Sequence, residues 1–292
     1  MLTMAPGAPA GRRQTFEERG YLVVRGLLST DEVRGLLDTF MAMHASGPIA
    51  GCFMPKLGLA SDGSVVDLGP GQDMGLVPVS RPLAGLDLLD LYPRMMQPHR
   101  VNALARRYLL DARIGAILAD LFGEEPLAAQ SMLYFKPAGA RGQALHQDNF
   151  FLKVQPGTCI AAWMALDPAD RQNGGLEVVP GTHRMDIFCP EEADAAASFT
   201  REYVPVPPGL QAVPVDMAPG DVLFFNGSLV HGSQPNSTAD RFRRSFICHY
   251  IGRSSDRMSH WYRPILTMAG QEVAIADNTD GGPCGTEAGG PH

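Results

Sequence analysis

Three side chains in the second half of the chain have types and spacing that can do chemistry together. His146-Gln147-Asp148 puts an imidazole and a carboxylate two positions apart. In an extended segment, residues i and i+2 point to the same face, so these two groups converge. A second imidazole, His231, follows the apolar run Val222-Leu223-Phe224-Phe225. Two imidazoles and one carboxylate on one face of a metal are the ligand set of non-haem Fe(II) oxygenases, and they leave positions open for other ligands. Thiolate-rich ligation would suit zinc instead. Alone, a His-x-Asp pair is a weak signal, because ion pairs and turns use the same residues. The stretch after His231 adds to it: Arg241, Arg243 and Arg244 lie about one strand away. A buried arginine there can grip a carboxylate with two parallel hydrogen bonds. In a regular strand, Arg243, Ser245, Ile247, His249 and Ile251 share one face and Arg244, Phe246, Cys248 and Tyr250 the other, so one arginine must face inward.

Other chemistries lack their motifs. The chain contains no G-x-x-x-x-G-K-[ST], H-E-x-x-H, G-x-S-x-G or G-x-G-x-x-G. Its net charge of -7 disfavours a sequence-independent nucleic-acid binder, which is normally basic. No apolar run reaches the roughly 20 residues of a membrane span, and no targeting segment is evident, which points to the cytoplasm. Five widely spaced cysteines without a C-x-x-C read as buried thiols of a reducing compartment rather than a disulfide framework.

The elements that must position these groups can be read from the pattern. The 292 residues are enough for one large domain with its own core. Residues 1–14 read as a flexible tail, 15–276 as one domain, and 277–292 as a second tail. Ser29-Thr30-Asp31-Glu32 has the form of a capping box, and Val33, Leu36, Leu37, Phe40 and Met41 give the following helix one apolar face. Residues 46–100 are rich in Gly, Pro, Ser and Asp and read as a lid region. Val101 to Phe122 is amphipathic and predicts two helices broken near Asp111. From 127 to 252 short apolar runs alternate with turns such as Asn173-Gly174-Gly175 and Pro219-Gly220-Asp221. That density of short strands predicts a β core.

With these residues in view, the chain resembles the phytanoyl-CoA dioxygenase (PhyH) family of Fe(II)/2-oxoglutarate-dependent oxygenases, which includes ectoine hydroxylase. The stretches that carry the resemblance are Met132–Pro137, Ala144–Asp148, Trp163, Asn173–His183, Gly220–Phe225 and His231–Tyr250, with Gly20–Leu28 near the start. The resemblance implies a mainly β fold with flanking helices, a double-stranded β-helix or cupin-like jelly roll. It implies Fe(II) held by His146, Asp148 and His231, with 2-oxoglutarate and O2 as cosubstrates. It implies Arg243, with Ser233 beside it, on the distal carboxylate of 2-oxoglutarate; an extra residue in this stretch leaves Arg241 and Arg244 as alternatives. Trp163 and Met132 match positions that line the cosubstrate pocket. Related halogenases lack the carboxylate, so Asp148 implies hydroxylation or another oxidation that needs no halide. The reading is therefore a dioxygenase acting on a small-molecule substrate with release of succinate and CO2. The alternatives are desaturation, cyclisation or epimerisation at the same iron, or a metal-binding cupin-type barrel without catalysis.

Further residues carry weaker expectations. Phe150 and Phe151 are candidates for the substrate wall. Arg94, His99 and Arg100 are candidates for pairing with an anionic substrate. His183, His249 and His260 read as hydrogen-bonded histidines rather than ligands.

Overall fold

The computed structural model describes residues 11–47 and 94–280, with short pieces at 49, 52–54, 57–59, 65–67 and 89. Helix α1 (Arg12–Arg19) ends at Gly20, whose left-handed backbone lets its N–H bond Phe16 O. Strand β1 (Tyr21–Val24) follows, and then α2 (Thr30–Ala45). The capping box is complete: Ser29 accepts from the Glu32 N–H, and the Glu32 side chain accepts from the Ser29 N–H. After β2 (Arg94–Met96) come α3 (Ala103–Leu109) and α4 (Ala112–Phe122). Asn102 and Asp111 cap these helices, so the predicted break at Asp111 is an N-cap.

The β elements then run β3 (Pro126–Tyr134), β4 (Gln143–His146), the short helix α5 (Asp148–Leu152), β5 (Cys159–Ala165), β6 (Leu176–Val178), β7 (Val213–Pro214), β8 (Val222–Asn226), β9 (His231–Ser233), β10 (Ser245–Gly252), β11 (Ile265–Thr267) and β12 (Glu272–Val273). They form two antiparallel sheets. The larger has the order β1-β8-β5-β10-β3-β11-β12, with β2 also paired to β3. The smaller has the order β7-β6-β9-β4.

Alternation along β10 shows how the layers stack. Phe246, Cys248 and Tyr250 face outward and pack with Leu36, Phe40 and Leu118 of the helices. Ile247 faces inward with Met132, Trp163 and Phe225, against Leu176 and Val178 of the smaller sheet. The architecture is the expected mainly β jelly roll with flanking helices, although the two sheets face each other without closing into a continuous barrel. Among the described residues, no helix is long and apolar enough to cross a membrane.

Four expectations are corrected or bounded by the structure. The N-terminal tail is shorter than predicted, because α1 already contains Arg12, Arg13 and Gln14. At the other end, Asp277 pairs with Met258 and the buried Asn278 donates to Lys153 O at 2.8 Å, so the chain is still packed past 276. Residues 281–292 and most of the 46–100 lid region, including Leu68-Gly69-Pro70-Gly71, lie outside the described residues. The cysteine reading holds for Cys52, Cys159 and Cys248, which are free and buried, but Cys189 is disulfide-bonded. Pairing depends on Cα atoms meeting within about 7 Å, which sequence spacing cannot show.

Glu32 ties α2 to α4. Arg113 donates to both its oxygens, at 2.6 and 3.1 Å, and this bonding pushes the carboxyl down from 4.5 to about 2. A depressed carboxyl stabilises the fold only as the anion: the contribution is complete above pH 4.5 and is lost as pH falls toward 2. Denaturant midpoints of the wild type and Glu32→Gln should therefore differ at neutral pH and approach each other through that window. A gap that stays constant would show that the Arg113 pair does not contribute.

Candidate metal centre

The two imidazoles are brought together by strand register. His146 is the last residue of β4, and it pairs directly with His231, the first residue of β9. Their ring centroids are 4.3 Å apart. Gln147 is extended (φ -124, ψ 122), and Asp148 opens α5 immediately after it. One extended residue between them is enough to turn the carboxylate onto the same spot. His146 Nε2 and His231 Nε2 each lie 3.5 Å from Asp148 Oδ1.

The tautomers follow from the outer hydrogen bonds. His146 Nδ1 donates to Ala144 O at 2.7 Å, and His231 Nδ1 donates to Leu229 O at 3.0 Å. A carbonyl oxygen can only accept, so each Nδ1 carries a proton, and in the neutral imidazole Nε2 then keeps its lone pair. The Gln143 amide donates to His146 Nε2 at 3.2 Å, in keeping with that assignment. Three ligand atoms thus lie within 4.8 Å of one another at a buried point. Two imidazole lone pairs and a carboxylate converging away from water fit a divalent cation of the iron type.

Met132, Trp163, Ser233 and Arg243 line the same cavity as Asp148 and His231. Arg243 is buried and donates from Nε to Gly174 O at 3.0 Å and from Nη1 to Ser245 Oγ at 2.7 Å. Its guanidinium lies 5.5 Å from the Trp163 ring centroid, and burial pushes its pKa down to about 10. Arg244 turns the other way and pairs with Asp167 at 2.7 Å, while Arg241 pairs with Asp170. With Arg241 and Arg244 held by these carboxylates, Arg243 is the buried arginine of the three that faces the cavity.

Lys136 lies inside the Met132–Pro137 stretch, and no motif in the sequence marks it. It is buried and donates to Gly174 O at 3.0 Å, to Ser233 Oγ at 2.9 Å, and to Gln234 O. Burial, and then the charge of Arg243, lower its pKa well below 10.5. Gly174 O accepts from both cations, so the Asn173-Gly174-Gly175 turn sets their positions. Gly174 has φ +74, and a Cβ there would come within 2.5 Å of Lys136 Nζ. Asn173 holds the turn from behind by donating to Pro168 O at 2.7 Å and Phe242 O at 3.1 Å.

The weaker candidates separate. The Phe151 ring is 6.2 Å from that of His146, but both Phe150 and Phe151 belong to an apolar cluster with Leu127 and Ile251. Arg94 lines a second cavity that shares Tyr134 and Arg243 with the first. His99 does not join it: its Nδ1 is 2.7 Å from Ser131 Oγ, and burial with Arg100 and Arg106 nearby pushes its pKa down to about 3. It is neutral at physiological pH. Arg100 donates to the backbone of Arg263. The three therefore form no joint anion site. His183 Nε2 bonds Glu17 O at 3.0 Å, and His260 stacks on Trp261 at 4.6 Å. His249 is different, since its Nε2 lies 3.0 Å from Asp148 Oδ2. Neither amide atom of Gln130, which is fully buried and paired with His249 across β3 and β10, makes a hydrogen bond.

Comparison with known proteins agrees with this geometry. A family model described as phytanoyl-CoA dioxygenase (PhyH) matches residues 16–245. Phytanoyl-CoA dioxygenase 1 of Oryza sativa subsp. japonica is 29% identical over 139 residues, covering 47% of this chain and 50% of the rice protein. The peroxisomal phytanoyl-CoA dioxygenase of Rattus norvegicus is 26% identical over 249 residues, covering 82% of this chain and 67% of the rat protein. The matches thus span one half to two thirds of these relatives. Among solved structures, the epimerase SnoN in complex with Fe3+, alpha ketoglutarate and nogalamycin RO superposes with a TM-score of 0.61 at 22% identity, covering 89% of this chain and 87% of SnoN.

Lys136→Met tests the cradle as a unit. The change removes the donor from Ser233 Oγ and Gln234 O in a buried place. Stability should fall by about 1–3 kcal/mol, the cost of stranding buried acceptors. Denaturant melts would read it, and an unchanged midpoint would show that these bonds are replaced by solvent.

Proposed function

Because the chain belongs to the phytanoyl-CoA dioxygenase family, we propose that it is an Fe(II)/2-oxoglutarate-dependent dioxygenase that hydroxylates an unactivated C–H bond of a small molecule. Succinate and CO2 are the coproducts. The observation that carries this is the convergence of two Nε2 lone pairs and a buried carboxylate beside an inward-facing buried arginine. His146, Asp148 and His231 hold the metal. Bound iron, with 2-oxoglutarate and O2, supplies the oxidising chemistry.

The chain's own groups bind and orient. Arg243 grips the distal carboxylate of 2-oxoglutarate. Ser233 accepts from Lys136, which directs its own hydroxyl proton toward the same carboxylate. Two buried cations, Arg243 and Lys136, suit a cosubstrate that arrives as a dianion, since an anion offsets what burial costs them. Trp163 packs under the guanidinium and Met132 completes the apolar wall, which keeps water from competing for these donors.

The likeness to SnoN favours a second reading at the same centre, in which the outcome is epimerisation rather than hydroxylation. Both readings need the same metal and cosubstrate residues. A cytoplasmic setting belongs to this proposal. Three free buried thiols support it, and the disulfide at Cys189 is the observation that weighs against it.

Anaerobic titration of the Fe(II)-loaded protein with 2-oxoglutarate should develop a weak visible metal-to-ligand charge-transfer band. Arg243→Ala should keep the metal but weaken 2-oxoglutarate by about 2–5 kcal/mol, roughly thirtyfold or more. Asp148→Ala should abolish substrate-dependent succinate release. Metal binding without a band in the wild type would remove 2-oxoglutarate from the reading and leave the non-catalytic barrel.

A further inference from the structure

We propose that His249 is a positioning residue that holds Oδ2 of Asp148 and so aims Oδ1 at the metal. The inference rests on the metal reading above and concerns a histidine that is not itself part of the ligand set.

The two oxygens of Asp148 have different surroundings. Oδ1 lies 3.5 Å from the Nε2 atoms of His146 and His231, where the ligand atoms converge. Oδ2 lies 3.0 Å from His249 Nε2. Both partners are buried, Asp148 at 0% and His249 at 1% exposure, so the bond is shielded from competing water. A carboxylate oxygen only accepts, so His249 carries its proton on Nε2 and donates it to Oδ2. This tautomer is the reverse of the one found for His146 and His231, whose Nδ1 atoms donate to backbone carbonyls.

The strand geometry fixes the donor in place. His249 sits on the inward face of β10, directly opposite Gln130 of β3 and Ala161 of β5. The register of β10 against β3 shifts between His249 and Tyr250. Bulges of this kind re-aim a side chain next to a site. Tyr250, on the outer face, is anchored by its hydroxyl donating to Leu109 O at 2.7 Å. The helix layer therefore holds the strand from one side while His249 holds the carboxylate on the other.

The chemical consequence concerns metal affinity. With Oδ2 engaged, Asp148 presents Oδ1 to the point where the imidazoles converge. Without His249, the carboxylate is free to rotate away from that point, and the metal loses a pre-aimed ligand. Outer partners of metal ligands commonly matter at the level of 10- to 100-fold in affinity.

The test uses the full chain and Mn(II) alone as the probe, read by electron paramagnetic resonance, with apo-protein melts as the fold control. His249→Phe should weaken Mn(II) roughly 10- to 100-fold, and His249→Gln, which keeps an N–H donor, should recover most of that loss. Wild-type affinity in a folded His249→Phe protein overturns the proposal. So does an equal loss in both variants, because that would reflect packing rather than the donor. A second measurement needs no variant: 15N NMR of histidine in the Zn(II)-loaded wild type should show His249 protonated at Nε2. A proton on Nδ1 with Nε2 bare overturns it as well. If wild-type protein binds neither metal, the metal centre itself fails, an outcome distinct from a tight wild type with an indifferent His249.

Discussion

The site depends on one register: His146 and His231 are direct partners across the antiparallel pair β4 and β9. A slip of one residue in a strand sends every side chain to the opposite face, so a single wrong step would point one imidazole out of the site. The register is held from both sides, because β9 also pairs with β6, where His231 faces Val178. Backbone carbonyls at Ala144 and Leu229 then set both rings to the same tautomer. The outcome is a pair of lone pairs aimed at one carboxylate oxygen. Such convergence is unfavourable without a cation, and that is what makes it informative.

A second organising point is a single backbone carbonyl. Gly174 O receives a hydrogen bond from Lys136 and another from Arg243, and Lys136 also reaches Ser233. Lys136 follows β3, Arg243 precedes β10 and Ser233 ends β9, so three elements meet at one turn. The turn can approach so closely because its central residue has no Cβ. Two cations in a water-poor cavity are costly unless their donors are matched. Fixed acceptors match some of these donors, and an anion entering the cavity suits the rest of their charge.

The helices act on the site through the sheet. α2 and α4 cover the outer face of β10 by packing Leu36, Phe40 and Leu118 against Phe246, Cys248 and Tyr250. Alternation then sends Ile247 and His249 inward. The Arg113 bond to Glu32 locks the two helices to each other at the surface. The same residues that make the core thus aim the polar groups.

Much of this was legible from the chain alone, because the relevant signals are local. His146 and Asp148 converge through the geometry of one extended dipeptide. The capping box at Ser29 and the break at Asp111 are short-range hydrogen-bond motifs. The inward face of β10, with Ile247 and His249, follows from the period of a strand once its phase is known. What only the tertiary structure decided involves partners far apart in sequence. Arg243, rather than Arg241 or Arg244, faces the cavity because Asp170 and Asp167 hold the other two while Gly174 O and Ser245 Oγ hold Arg243. Lys136 and His249 have no local signature: their partners Ser233 and Asp148 lie 97 and 101 residues away. The supposed basic cluster of Arg94, His99 and Arg100 dissolved because burial neutralises His99 and Arg100 turns to a backbone carbonyl. Composition showed thiols but not that Cys189 is paired. Local geometry is encoded residue by residue, whereas burial, strand phase and distant hydrogen-bond partners exist only once the two sheets have met.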